Sequence, residues 1–305
     1  MVLLTDLWQA NLTCTGVHSG LPLRFFHGAA SPESRMMNTD DERFRSGAHK
    51  YAAYLETPEG RLRLDLAFAN LQDFLPPIDE CSLSALDLGG GTGATSVRLA
   101  RRGLRVTLVD SSAVMLDLAR LAIEAAGVMD RVVLKHGDVT QLAELFATES
   151  FDVVLCHNLL EFCDDPAAVL RSAVHIMRNS EAILSVLVRN QAGEVLKSAI
   201  QAGDLVAAEN GIAAEWGKES LYGGKVRVFQ SDSLRHLLKA ASLEIVAERG
   251  VRVVADYLPA SVDRSADYDR IMNLERKLGT RPEFARVARY THCLARRSGP
   301  LTENR

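Results

Sequence analysis

The apolar and polar positions of the chain alternate in a way that predicts helices and strands in turn. Apolar residues recur at helical spacing from Leu64 to Leu75, which predicts an amphipathic helix over residues 61–75 that ends before two prolines. Short, nearly continuous apolar runs predict strands over residues 84–88, 104–110, 132–136, 151–157, 183–188, 243–254 and 290–296. Helical patterns lie between most of them, over residues 94–102 and 112–126 and from residues 166, 231 and 267 onward. Apolar strands separated by helices form parallel sheets buried on both faces, so the pattern predicts an α/β fold with a doubly wound sheet.

The same pattern predicts the limits of the ordered domain. Residues 1–42 lack a sustained periodicity and contain clusters of Gly, Ser and Pro, so we predict a poorly ordered tail there. The domain is predicted over residues 43–298, and residues 299–305 form a second short tail. Between about residues 190 and 229, helical stretches and a glycine-containing loop interrupt the alternation. We interpret this excursion as a lid over the carboxyl edge of the sheet, where α/β folds bind their substrates.

Composition and charge exclude several classes of protein. Hydrophobic residues make up 47% of the chain and charged residues 24%, close to the globular average, so a disordered or fibrous protein is not expected. The net charge of −4 argues against a wholly basic nucleic-acid-binding protein but is compatible with a local basic face. The five cysteines are widely spaced without a C-x-x-C pair, which predicts a reducing cytoplasm and neither a metal site nor disulfides. No apolar stretch approaches the roughly 18 residues of a membrane span, so no membrane association is expected.

The most informative segment is the glycine-rich run from Asp87 to Gly93, at the turn from the first strand into a helix. Glycines at such a turn permit positive φ and let a ligand approach the backbone closely. Gly89, Gly91 and Ala94 fit the G-x-G-x-x-G/A pattern of nicotinamide and flavin enzymes, which is one alternative. Asp87 favours another, because a carboxylate just before the first glycine repels a pyrophosphate and attracts a cationic ligand. S-adenosylmethionine carries an ammonium and a sulfonium group, and it is the cofactor that this charge favours.

Three polar residues follow the next strands of the predicted sheet. Asp110 ends the second strand, 21 residues after Gly89, where an acid can accept both hydroxyls of a ribose; a helix cap is the alternative. Asp138 and Val139 follow the third strand, where they could contact the adenine, although Asp138 would serve equally well as a helix cap. His157 ends the fourth strand at the predicted switch of sheet direction, where it either contacts the cofactor or packs in the core.

These motifs together resemble a class I S-adenosylmethionine-dependent methyltransferase over about residues 84–188. The segments that carry the resemblance are the glycine run, Leu108-Val109-Asp110, and Phe151-Asp152-Val153-Val154 before Leu159-Leu160-Glu161. The resemblance implies a seven-stranded Rossmann-like methyltransferase sheet with S-adenosylmethionine at its carboxyl edge. His157-Asn158-Leu159-Leu160 stands where methylases of exocyclic amines in nucleic acids have (N/D)-P-P-(Y/F). Base N-methylation is therefore not expected.

A second resemblance extends over most of the predicted domain, about residues 44–297. Its segments are Phe44, Lys50-Tyr51, Glu59-Gly60-Arg61-Leu62-Arg63, Cys156-His157-Asn158-Leu159-Leu160-Glu161-Phe162, Gly250-Val251-Arg252-Val253, Asp256-Tyr257-Leu258, Leu274-Glu275 and Arg289-Tyr290-Thr291-His292. They are similar to segments of the tRNA 5-carboxymethoxyuridine methyltransferase (CmoM) family. The resemblance implies that the cofactor is bound by Arg63, Gly89, Gly90, Asp110, Val139 and His157.

The second resemblance also implies a reaction and a partner. The product would be the methyl ester of a carboxymethoxy group on the wobble uridine of tRNA, so tRNA is the expected partner. A carboxylate is already ionised at neutral pH, so the reaction needs a cation that orients the acceptor and needs no general base. We assign this catalytic role to Arg252, with Tyr257 beside it. An exposed arginine on a strand and a half-buried tyrosine at a sheet edge would explain the same two residues structurally.

Two other functions stay open at this point. A methyltransferase of a small metabolite, such as a carboxylic acid or a quinone precursor, would share every cofactor motif and differ only at the lid. A phenol acceptor would need a base, for which His157 is the candidate. The third hypothesis is a binding module that keeps the nucleotide site without catalysis, and the intact Asp87, glycine run and Asp110 argue against it.

Overall fold

A seven-stranded sheet forms the centre of the fold. The computed structural model describes residues 39–75, 83–148, 150–219 and 221–298, and of residues 39–42 the backbone alone. The strands are β1 (Ser84–Leu88), β2 (Arg105–Asp110), β3 (Val132–His136), β4 (Val153–His157), β5 (Ile183–Arg189), β6 (Trp216–Lys218), β7 (Lys225–Arg227), β8 (Leu243–Val251) and β9 (Tyr290–Arg297). Their order in the large sheet is β3-β2-β1-β4-β5-β9-β8; β1 to β5 run parallel, and β9 runs antiparallel to both its neighbours. The doubly wound α/β fold is therefore confirmed, and β6 and β7 form a separate hairpin.

Helices cover both faces of the large sheet. They are α1 (Thr39–Leu55), α2 (Pro58–Gln72), α3 (Ala94–Arg101), α4 (Ala113–Ala126), α5 (Leu142–Leu145), α6 (Pro166–Ile176), α7 (Gln191–Leu196), α8 (Leu205–Gly211), α9 (Ser231–Ala240), α10 (Tyr268–Gly279) and α11 (Pro282–Ala285). Short helical turns add Val139–Gln141, Leu160–Phe162 and Ala255–Tyr257, and Lys197–Gln201 is a π-helical stretch. None of the helices in these described ranges is both long and apolar enough to cross a membrane.

Two hydrophobic cores, one on each face of the sheet, explain why the central strands are apolar at nearly every position. Along β4, Val154 and Cys156 pack in the core that α6 and α9 cover, whereas Val153 and Leu155 pack in the core with α3 and α4. Successive side chains of a strand point to opposite faces, so a strand buried on both faces needs apolar residues at every position.

The helices at the start of the described chain differ from the prediction. Helix α2 begins at Pro58 because the Thr57 hydroxyl accepts from Gly60 N at 3.1 Å, so the helix runs earlier than the predicted residues 61–75. It ends at Gln72, and the two prolines that were expected to stop it lie outside the described residues. Helix α1 already begins at Thr39, four residues before the predicted start of the domain. The tails predicted over residues 1–42 and 299–305 otherwise lie outside the described residues.

The excursion after β5 returns to the place where it left the sheet. Gln191 N donates to the carbonyl of Phe229 at 3.0 Å, so both ends of the excursion meet at the carboxyl end of β5. Its hairpin lies against α1, since Arg43 Nη2 donates to the carbonyl of Lys225 at 3.0 Å. Tyr222, between the two hairpin strands, contacts the ring of Phe44 with centroids 5.2 Å apart. The cover over this edge of the sheet therefore combines the excursion with α1.

Candidate functional site

A cavity of about 730 Å³ opens at the carboxyl ends of the parallel strands. Its walls come from the turns after β1, β2, β3, β4 and β5, and from the loop between β6 and β7. The cavity lies where β1 has β2 on one side and β4 on the other, which is the switch point at which doubly wound sheets bind ligands. Its volume falls in the range of roughly 300–1,000 Å³ that is typical of cofactor and small-molecule sites.

The glycine turn after β1 fits closely between the sheet and the cavity. Gly89 has φ +62° and lines the cavity. A Cβ atom on Gly90 would lie 2.5 Å from the Leu108 side chain and 3.0 Å from the carboxyl carbon of Asp87, so only glycine fits there. The amide nitrogens of Gly89 and Gly90 both donate to the carbonyl of Val109. This turn therefore brings the backbone to the cavity wall without a side chain in the way.

Asp110, at the end of β2, is held at the cavity wall by two backbone groups. Gly91 N and Ser112 N each donate to one of its carboxylate oxygens at 2.8 Å. Each oxygen keeps a second lone pair, so the buried carboxylate can still accept from hydroxyl groups of a ligand. The alternative role as a helix cap falls to Ser112, whose hydroxyl accepts from Met115 N at the start of α4.

A narrow cleft continues from the cavity between α2 and the glycine turn, and two charged side chains line it. Arg63 is only 4% exposed and donates to Asn158 Oδ1 at 2.9 Å and to Tyr51 OH at 2.8 Å. It has no carboxylate partner within the described chain, and its Nε lacks a hydrogen-bond partner. Asp87 is 3% exposed and accepts from Ser96 Oγ at 2.7 Å. Burial raises the pKa of Asp87 to about 6.

The positive and the negative side chain of this cleft fit a ligand that carries one negative and one positive charge. Arg63 and Asp87 do not pair with each other, and burying a charge without a partner is costly. A zwitterionic α-amino acid group would supply a carboxylate for Arg63 and an ammonium for Asp87. The methionine part of S-adenosylmethionine is such a group, so the residues of the cleft fit this cofactor.

His157, which is half-buried, begins a chain of polar side chains that runs across three strands of the sheet to buried Ser185 and His292. Its Nε2 lies 2.8 Å from Ser185 Oγ, which lies 2.8 Å from His292 Nε2. Asn70 Nδ2 lies 3.4 Å from His292 Nδ1. An amide nitrogen can only donate, so His292 donates to Ser185, Ser185 donates to His157, and the proton of His157 resides on Nδ1. Burial lowers the pKa of His157 to about 3, so the ring that lines the cavity is neutral and a weak base.

Asp138 and Val139 both line the cavity after β3. Asp138 Oδ1 also accepts from Thr140 N at 2.8 Å and so caps the helical turn that begins at Val139. The structure thus shows the cap that was one of the two interpretations of Asp138, in a position that also faces the cavity.

Arg252 and Tyr257 lie away from the position we expected for them, because neither lines the cavity or the cleft. Strand β8 ends before Arg252, which has φ +61° and enters a turn whose Asp256 forms an ion pair with it. Arg252 also donates to Tyr54 OH at 2.8 Å, and Tyr257 OH donates to the carbonyl of Gly193 at 3.4 Å. Both polar groups therefore have hydrogen-bond partners within the protein.

The sequence interpretation missed several residues on the opposite side of the cavity. Arg189, at the end of β5, lines the cavity and forms ion pairs with Glu194 and with Glu219 of the excursion. Tyr222 and Tyr51 both line the cavity and contact each other, with ring centroids 5.7 Å apart. A single charged residue at the end of an otherwise apolar strand was a signal for Arg189. Tyr51 lies in a segment that carries the second resemblance, but its contact with Tyr222 depends on how α1 meets the excursion, which no local pattern shows.

Comparison with known proteins identifies a methyltransferase domain in this chain. Residues 86–184 match the model of a methyltransferase domain. The chain is 29% identical over 264 residues to the tRNA 5-carboxymethoxyuridine methyltransferase of Escherichia coli (strain K12), a match that covers 84% of this chain and 97% of that protein. It is 37% identical over 106 residues to the ubiquinone biosynthesis O-methyltransferase of Hahella chejuensis, covering 34% of this chain and 43% of that protein.

Solved structures agree on the fold. An S-adenosylmethionine-dependent methyltransferase of Thermotoga maritima superposes with a TM-score of 0.56 at 15% identity, covering 84% of this chain and 99% of that one. This likeness shows the fold, and the matching domain model, the glycine turn and the zwitterionic cleft agree with it. The chain is an S-adenosylmethionine-dependent methyltransferase with a Rossmann-like fold.

Proposed function

We propose that this enzyme methylates the carboxylate of 5-carboxymethoxyuridine at the wobble position of tRNA. The observation that carries the proposal is the extent of the similarity to the tRNA methyltransferase, which covers 84% of this chain and 97% of that protein. Such a match must reach well beyond residues 86–184, the methyltransferase domain, into the segments that surround the acceptor side of the cavity. The similarity to the ubiquinone enzyme covers only 34% of this chain.

In this proposal the cleft and the glycine turn hold the cofactor. Arg63 binds its carboxylate and Asp87 its ammonium, which satisfies both buried charges. Gly89 and Gly90 carry no side chain, so the cofactor can approach the backbone of the glycine turn closely.

The remaining cofactor contacts follow the order of the strands in the sheet. Asp110 accepts from the two ribose hydroxyls with the lone pairs that Gly91 and Ser112 leave open. Asp138 and Val139, one strand further on, flank the adenine. His157 Nδ1–H is left as a hydrogen-bond donor to the bound cofactor.

The chemistry suits an acceptor that is already charged. When bound, S-adenosylmethionine supplies an electrophilic methyl group. The acceptor carboxylate provides the electron pair of the new O–CH₃ bond, and no proton has to leave it. A weak base such as His157, with a pKa of about 3, is compatible with this reaction and gives little help to a phenol. The protein therefore acts by alignment of the acceptor oxygen with the methyl group.

Two arginines take different parts in that alignment. Arg189 lies at the end of β5, on the acceptor side of the cavity, and we assign it the contact with the acceptor carboxylate. Arg252 does not line the cavity and acts through Tyr54. It donates to the hydroxyl of Tyr54, whose ring lies 5.3 Å from the guanidinium carbon of Arg63. Arg252, with Tyr257 on the adjoining turn, is then a positioning residue.

Methylation of a small metabolite is the second candidate, favoured by the local identity of 37% to the ubiquinone O-methyltransferase. A phenol has a pKa of about 10 and must lose its proton, so its methylation would speed up as the pH rises. A carboxylate ester would form at a rate that is independent of pH between about 6 and 8.

The test uses tRNA that carries unmethylated 5-carboxymethoxyuridine. Purified enzyme and S-adenosylmethionine are added, and the nucleosides are identified by mass spectrometry. At saturating S-adenosylmethionine, we expect the methyl ester to form at a rate that is independent of pH between about 6 and 8, and Arg189→Lys to lower turnover more than cofactor affinity. If this tRNA stays unmethylated while a phenol or a free carboxylic acid is turned over, the tRNA proposal is wrong.

A further inference from the structure

The hairpin of β6 and β7 sorts its side chains onto two faces. Its register places Trp216 opposite Arg227 and Lys218 opposite Lys225. Side chains of a strand alternate between faces, so these four share one face, while the residues between them point to the other. Val226, on that other face, is fully buried. The hairpin thus has one face anchored in the protein and one face turned outward.

The outward face is aromatic and cationic only. Trp216 is 46% exposed, and both lysines are exposed. Arg227 lies over the indole ring, 4.7 Å from its centroid. Neither Lys218 nor Lys225 has an ion-pair partner in the part of the chain that the structure describes. This concentration of positive charge occurs on a protein whose net charge is −4.

The hairpin stands at the rim of the cavity. Glu219 and Tyr222, in the loop that joins its strands, line the cavity. Phe162, in the cavity wall, contacts the ring of Tyr222 with centroids 6.0 Å apart, so the loop of the hairpin packs directly against the wall. A polymer that places one unit in the cavity would therefore have its adjacent units within reach of the outward face.

We propose that the outward face of the hairpin binds single-stranded RNA beside the nucleotide that enters the cavity. An open indole face stacks on any base, and here Arg227 already occupies one side of the ring and leaves the other for a base. Lys218 and Lys225 then contact the phosphates on either side. The proposal rests on the proposed function, since a nucleotide methylated in a cavity must leave the base stack while its neighbours stay outside.

Fluorescence of Trp216 reports this contact directly. The chain has two tryptophans, so Trp8→Phe leaves Trp216 as the single indole. We expect its emission to be quenched by an anticodon stem-loop RNA with uridine at the wobble position. Trp216→Ala should weaken binding of that RNA roughly 5- to 150-fold, the range measured for single stacking contacts, and Trp216→Phe should retain most of the affinity.

Salt dependence tests the two lysines. Replacing Lys218 and Lys225 together by alanine should make the slope of log affinity against log salt shallower by about 1.4, at roughly 0.7 per phosphate contact of a single strand. The matched control replaces Lys239 and Lys277, which are also exposed but lie on α9 and α10, and should leave the slope unchanged.

The outcomes separate this proposal from the proposed function. Each variant is first checked for wild-type affinity for S-adenosylmethionine, which a misfolded protein would lose. If the wild type methylates tRNA but Trp216→Ala binds and methylates it equally well, the hairpin proposal is overturned and the function stands. If Trp216 emission changes with protein concentration and not with RNA, the face joins two copies of the chain and the hairpin proposal also fails. If the wild type neither binds nor methylates tRNA, the proposed function itself fails.

Discussion

Replacing Asp87 by asparagine is expected to raise the stability of the cofactor-free protein while it weakens cofactor binding. The substitution keeps the size and planar shape of the side chain and removes only its charge. Asp87 is buried at the bottom of the cleft, where Ser96 Oγ donates to it at 2.7 Å and where no cation of the described chain pairs with it. The two effects have opposite signs because the charge is costly in the free protein and useful only when an ammonium group arrives.

The stability gain follows from the cost of ionising Asp87 in place. Burial raises its pKa from 3.8 to about 6. At about 1.4 kcal/mol per pKa unit, the ionised side chain costs roughly 3 kcal/mol in the folded protein. Because the pKa of Asp87 is higher in the folded than in the unfolded protein, the side chain does not lower stability below its unfolded pKa. The loss of stability develops as the pH rises from the unfolded pKa through the folded pKa. The free energies of unfolding should therefore coincide near pH 3 and diverge by up to about 3 kcal/mol above pH 6, with D87N the more stable.

The binding loss follows from the same pKa. If only ionised Asp87 binds the ammonium, about one tenth of the wild-type protein is competent at pH 5 and about nine tenths at pH 7. Wild-type affinity for S-adenosylmethionine should then rise nearly tenfold over that interval. D87N should bind at least about tenfold more weakly at pH 7, since a hydrogen bond to a charged group is worth roughly 1.5–3 kcal/mol. Its affinity should not depend on pH between these limits.

Urea unfolding and titration calorimetry measure the two effects. At pH 6, binding to the wild type should release about half a proton, detected by repeating the calorimetry in buffers of different ionisation enthalpy, and binding to D87N should release none. Asp117→Asn is the control, because Asp117 is exposed on α4 and should change neither property. If D87N is less stable than the wild type at pH 8, or shows the same pH-dependent affinity, Asp87 does not carry the charge assigned to it.

Three further substitutions test other parts of the site. Asp110→Ala should weaken S-adenosylmethionine at least about tenfold, because hydrogen bonds to a charged acceptor contribute roughly 1.5–3 kcal/mol each; equal affinity by calorimetry would remove Asp110 from the site. Ser185→Ala should lower the free energy of unfolding by about 1–3 kcal/mol in urea, because it removes the hydrogen bonds to buried His292 and half-buried His157, and an unchanged midpoint would contradict that hydrogen-bonded chain. Arg252→Met should lower the free energy of unfolding by about 3 kcal/mol because it removes the main partner of buried Asp256, and it should also weaken cofactor affinity, because Arg252 holds Tyr54 beside Arg63. A loss of turnover at unchanged stability would instead put Arg252 at the acceptor.

The first residue of helix α2 shows where a prediction from local sequence differs from the structure. The apolar spacing predicted the helix but placed its start at residue 61, whereas the cap formed by Thr57 starts it at Pro58. Gly60 fits there because a Cβ atom would lie 2.0 Å from the carbonyl of Tyr54, at the corner with α1. A periodicity reports which face is buried, while the first residue of a helix depends on its cap and on what packs against it.

The arginines of the site show more clearly that the sequence alone does not identify the partner of a side chain. Arg252 was expected to meet an acceptor, but the left-handed turn at its own position directs it to Asp256 and Tyr54. Arg189 was overlooked, although it lines the cavity and pairs with Glu219, 30 residues further along the chain. A charged residue looks the same in a sequence whether it faces a ligand or a buried partner, because the partner is chosen by packing.

The sequence by itself determined the parallel sheet, the glycine turn after β1 and the acid at the end of β2. These features depend on residues close together in the chain: apolar runs that are buried on both faces, and glycines that adopt positive φ next to a carboxylate. Only the tertiary structure decided that Arg63 and Asp87 share one cleft without pairing, and that the outward face of the β6–β7 hairpin stands at the rim of the cavity. Those relations join segments far apart in sequence, and the packing of α1, α2 and the excursion against the sheet brings them together.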